Sequence, residues 1–83
     1  MNHIIVDFQP FLAQQNIMVY IDGVCEKQIQ VEIDRIVDAV NGLRKQYNIN
    51  QIDLCGNQNY LTNFRTKMNN KFEDNCEINI IKK

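Results

Sequence analysis

Between Asn16 and Ile81, short apolar runs of strand length alternate with longer stretches of helical periodicity, and this order most limits what the chain can fold into. Strands joined through helices need crossovers, each of which returns the chain to the same end of the sheet, so such strands run parallel. The strongest strand is NIMVYIDG at 16–23. Ile17, Met18, Val19, Tyr20 and Ile21 are consecutively apolar, as in a strand covered on both faces, and Asp22-Gly23 supplies turn chemistry at its end. Further strands are expected at 51–56 and, as CEINII, at 76–81, ahead of the Lys82-Lys83 tail. HIIVDF at 3–8 is another short strand. Pro10 follows it and offers no ladder donor, which predicts an edge position, with a connector at 11–15.

Two patterns compete after Gly23. Cys25, Lys27, Ile29, Val31 and Ile33 alternate with Glu26, Gln28, Gln30 and Glu32, the period of a second hairpin strand. The longer pattern, Ile29, Ile33, Ile36, Val37, Val40, Leu43 and Tyr47, recurs at three- and four-residue steps and predicts a helix over 27–47. Asn41-Gly42 inside that window costs about 1 kcal/mol relative to alanine and suggests a kink or a close approach. Gly56-Asn57 turns the chain into a second helix, capped by Asn57 or Asn59. Its inward face is Tyr60, Leu61, Phe64, Met68 and Phe72, its outward face Arg65, Lys67 and Lys71, and 69–75 is polar turn material. The expected architecture is one α/β domain over 1–83: a small, mostly parallel sheet in βαβαβ order, an extra N-terminal edge strand and two helices.

The formal charge of −1 removes the general attraction to phosphate that a nucleic-acid binder carries. The charge is unevenly spread. Up to Leu43 two basic residues stand against six acidic ones, and from Arg44 onward seven basic residues stand against four acidic ones. Such a split gives either an acidic and a basic face or two differently solvated helices. Cys25, Cys55 and Cys76 form no C-x-x-C pair and leave an odd thiol, and no secretory leader opens the chain, so free thiols in a reducing cytoplasm are expected. No apolar run has the length of a membrane span. The scarcity of Ala beside abundant Ile and Asn suits an AT-rich source such as a phage or mobile element.

Ligands of open parallel sheets gather beyond the carboxyl ends of strands, which singles out Asp22 and Gly23 after one strand and Gly56, Asn57 and Asn59 after another. The second loop leads to a helix N-terminus, whose free N–H groups suit an anion or nucleotide phosphate. One glycine is short of a phosphate-loop fingerprint, and ordinary turn chemistry explains it equally. His3 lies far along the chain from every cysteine, so neither Cys-His catalysis nor a zinc site is expected.

The segments VYIDGVC and IDLCGNQNYLTNF resemble the first strand and the later strand-to-helix junction of ribonuclease H-like domains. That resemblance implies a role for Asp22 as a metal ligand. It departs after the Asp-Gly, where the family places two further antiparallel strands, and at Gly56-Asn57, where the family carries an aspartate, and leaves one ligand of a two-metal set. A degenerate, non-catalytic relative is what remains of it. The leading expectation is a non-enzymatic module without cofactor or metal, an adaptor or inhibitor type that binds a protein partner or a second copy of itself through an edge strand or the Arg65, Lys67 and Lys71 face.

Overall fold

A computed structural model of the chain describes residues 2–10, 13–72 and 75–81. The predicted connector residues Phe11 and Leu12, the turn residues Glu73 and Asp74, and the Lys82-Lys83 tail lie outside them. Five strands and two helices follow in order: β1 (His3–Phe8), β2 (Gln14–Ile21), β3 (Val24–Glu32), α1 (Ile36–Tyr47), β4 (Gln51–Gly56), α2 (Gln58–Lys71) and β5 (Glu77–Ile80), with a single 3-10 turn, Ile33–Arg35, leading into α1. They form one sheet in the order β3-β2-β1-β4-β5. β1, β4 and β5 are mutually parallel, whereas β2 is antiparallel to both β1 and β3. The sheet is therefore mixed rather than mostly parallel.

Two expectations are corrected. Residues 27–32 are strand, and the helix begins only at Ile36. Asp22 and Gly23 both have positive φ, 52° and 82°, the requirement of a two-residue type I′ turn whose twist matches the flanking strands. That turn folds β3 back on β2, pairing Ile17 with Ile29 and Gln15 with Val31, so the period of two prevails over the longer pattern. The crevice expected beside Asp22 disappears with it. HIIVDF is likewise no edge strand, since β1 sits between β2 and β4. Pro10 lies past its last ladder residue and removes no bond from it. The edges are β3 and β5.

Alternation then sorts the side chains. Ile4, Val6 and Phe8 of β1, Ile17 and Val19 of β2, Ile52 and Leu54 of β4 and Ile78 of β5 share one buried face. Both helices bury residues in the same cluster, Ile36, Val40 and Leu43 from α1 and Leu61, Phe64 and Met68 from α2, giving a two-layer α/β sandwich. Phe8 anchors it, with its ring centroid 4.9 Å from Phe64 and 5.7 Å from Tyr60. At the foot of α1, Asn48 takes a left-handed conformation (φ 56°) and Ile49 N–H bonds to Arg44 C=O at 2.8 Å, ending the helix.

Gly42 lies exposed inside α1 with open space where a β-carbon would stand, so neither the kink nor the close approach explains it. Gly56 is the opposite case, with φ 98° and a β-carbon position that collides with the Phe8 backbone. Chemical denaturation is expected to show Gly42→Ala gaining about 0.5–1 kcal/mol. Gly56→Ala is expected to lose more than about 2 kcal/mol, through strain and displacement of β1.

Candidate functional site

The residues singled out in the sequence do not converge. β2 runs opposite to β1 and pairs Tyr20 with His3, so Asp22 and Gly23 cap the end of the sheet where the parallel strands begin. Gly56, paired with Phe8, lies with Asn57 and Asn59 at the other end. Asp22 N–H donates to Asn2 Oδ1 at 3.0 Å. In the second loop, Asn57 N–H donates to Phe8 C=O at 2.7 Å, Asn59 N–H to Asn57 Oδ1 at 3.1 Å and Tyr60 N–H to Asn57 C=O at 3.1 Å. Those donors complete the cap of α2. The β-carbon position of Gly56 is pressed on the β1 backbone.

The basic trio of α2 divides. Lys67 Nζ lies 5.0 Å from the centroid of the Phe64 ring, and Lys71 Nζ reaches Asp38 of α1 at 3.7 Å. Lys67 and Lys71 line a shallow hollow with Val37, Asp38 and Asn70, while a separate groove is faced by Arg65. With Gln58, Leu61 and Thr62 it forms one stripe of α2, since residues three, four and seven apart share a helix face. Ile78, Asn79 and Ile80 of β5 complete a groove of about 540 Å³ between the helix and the sheet edge. Arg65 is the only charged residue lining it, is exposed, and has no ion-pair partner among the described residues.

The face of the sheet away from the helices carries a network that sequence reasoning missed. His3 Nδ1 lies 2.8 Å from Asp53 Oδ2, and Asn79 Nδ2 donates to Asp53 Oδ1 at 3.3 Å. Asp53 is buried at 4% exposure although no helix covers it, because its neighbours on β1 and β5 close over it. The His3 ring meets Tyr20 edge-on at 5.2 Å. Residues 3, 53 and 79 share no local motif. Only the strand register brings them together, Ile5 beside Asp53 and Asp53 beside Asn79, so no spacing in the sequence signals it.

Chemically the network ties β1, β4 and β5. A His-Asp pair orients an imidazole for acid-base work only where a nucleophile or substrate is within reach. No thiol or hydroxyl is bonded to His3 in the described contacts, and Cys25 Sγ lies instead against Lys27 C=O. Among the described residues no group of three or more His, Cys, Asp or Glu is arranged to hold a metal ion. No described helix is long and apolar enough to cross a membrane.

Asp53→Ala leaves two side chains without their acceptor and is expected to cost about 1–3 kcal/mol in urea denaturation. His3→Ala should cost less, and the double variant should lose less than the two single losses combined. Set beside known proteins, the chain has no match to a family model, to a characterised protein or to a solved structure, so geometry alone carries the functional reading.

Proposed function

We propose that the protein is a small, non-enzymatic binding module that recognises protein by strand pairing at an open sheet edge. The observation that carries this reading is β3, nine residues long with β2 as its sole neighbour in the sheet. Ile33 N–H bonds to Ala13 C=O at 3.1 Å, and antiparallel pairing alternates, so Val31 and Ile29 also direct their backbone groups to β2. Gln28, Gln30 and Glu32 then present N–H and C=O outward. Natural edges are usually blunted by bulges, lysines or covering loops. Here a register shift beside Val19 and Tyr20, together with Lys27, blunts only the first half of β3.

A degenerate ribonuclease H-like domain is the second reading, favoured by one observation. An antiparallel meander does occur, as β1-β2-β3, but VYIDG forms its middle strand and one antiparallel strand, not two, follows Asp22-Gly23. Asp22 is then a hairpin tip and not a strand-borne ligand, and Asp53 is engaged by His3 and Asn79. This reading predicts no shift in melting temperature on adding Mg²⁺.

For the leading reading, Gln30→Pro removes one outward donor while leaving the β2 ladder intact, a change edge strands tolerate. Sedimentation velocity of the wild type is expected to show association rising with concentration, and Gln30→Pro to stay folded and lose it. A wild type that is strictly monomeric at high concentration, and that captures the same lysate proteins as Gln30→Pro, would contradict it.

A further inference from the structure

We propose that copies of this chain assemble head to tail, the β5 edge and α2 groove of one copy receiving β3 of the next, so that successive five-stranded sheets become continuous. This rests on the strand-pairing reading above, but it states which edge meets which and can fail alone.

The two edges agree in direction. β5 is parallel to β4 and β4 to β1, while β3 is antiparallel to β2, itself antiparallel to β1, so β3 and β5 point the same way from opposite ends of the sheet. They also agree in hydrogen bonding. Glu77 N–H bonds to Asn50 C=O and Ile81 N–H to Leu54 C=O, each at 2.8 Å, which leaves Ile78 and Ile80 with N–H and C=O directed outward. In a parallel pair, a residue facing its partner lies opposite one facing away and bonds to the neighbours of that residue. Ile78 thus fits opposite Ile29, and Ile80 opposite Val31, with Gln28, Gln30 and Glu32 supplying donors and acceptors. All four apolar side chains point to the helix-covered face, so the cores join without inversion. An antiparallel pairing of β5 with β3 would oppose outward residues from different faces, Ile78 against Gln28, and fails this test.

The groove beside β5 supplies the volume. Ile29 and Val31 are only half-buried in the isolated chain, and a space of about 540 Å³ floored by Leu61, Ile78 and Ile80 lies where the next copy would bring them. Charge counts against the two symmetric arrangements. Glu26, Glu32 and Asp34 lie on or just after β3 beside Lys27 and Arg35, whereas α2 carries Arg65, Lys67 and Lys71 and no acid. Joining β5 to β5 by a two-fold axis would set one Arg65 helix against another, and joining β3 to β3 would set its glutamates together, whereas head-to-tail contact brings neither pair together. The interface is heterologous, so unless the rotation between copies closes a ring the assembly stays open.

The test uses two blocked edges. Gln30→Pro spoils β3 and leaves β5 free, and Ile80→Pro does the reverse at an outward donor. Each variant alone should sediment as a monomer, their mixture as a one-to-one dimer, and the wild type should grow beyond a dimer as concentration rises. Should Ile80→Pro fail to fold, Thr62→Trp, an exposed groove residue enlarged to fill the space beside β5, replaces it in the mixture. A wild type that stops at a dimer, lost in Gln30→Pro but unchanged in Ile80→Pro, keeps the edge reading and overturns this one. A mixture that stays monomeric overturns it as well.

Discussion

A two-residue turn decides this architecture. Asp22 and Gly23 both sit at positive φ, a conformation open to glycine and tolerated by aspartate, and only that geometry sends β3 straight back along β2 with matching twist. A helix from residue 27 would have left β2 as a sheet edge and exposed Ile17 and Val19 at its border. With the hairpin in place, β2 is paired on both sides, β1 becomes central, and the chain's longest strand becomes the free edge. The functional proposal follows from that placement and from no cluster of reactive groups.

The two faces of the sheet then have different work. The helix side holds the apolar cluster around Phe8, whose burial is the main favourable term in folding. Its other side is polar and stitched across three strands by Asp53, an arrangement in which a buried carboxylate is tolerated because both its oxygens have partners. Parallel strands are commonly covered on both faces. This network lets β1, β4 and β5 keep one face toward water, and the proposed association is accordingly assigned to the edges.

Much of the fold was legible in the sequence where pattern and turn agreed. β2, β4, α2 and β5 fall close to their expected places, since each is a single apolar period bounded by Asp-Gly, Gly-Asn or polar residues. β3 was misread because Ile29 and Ile33 stand, by their spacing, in step with Ile36, Val40, Leu43 and Tyr47 of the true helix. One rhythm runs across a strand and a helix, and only the chirality of the Asp22-Gly23 turn separates them. β1 was placed at an edge through Pro10, which lies beyond the ladder. The candidate site was less legible: Arg65 was named as a surface cation, but the groove it faces depends on β5 lying beside α2. The His3, Asp53 and Asn79 network depends on register across three strands, which a linear pattern does not contain.

Amide hydrogen exchange, resolved by residue in dilute solution where the chain is monomeric, tests the edge assignment most directly. The account predicts a period of two: slow exchange at Ile29, Val31, Asn79 and Ile81, whose N–H groups face a neighbouring strand, and fast exchange at Gln28, Gln30, Glu32, Ile78 and Ile80. Uniform protection from residue 28 to residue 33, as an uninterrupted helix would give, or protection of both Gln30 and Ile80 in the monomer, would contradict it.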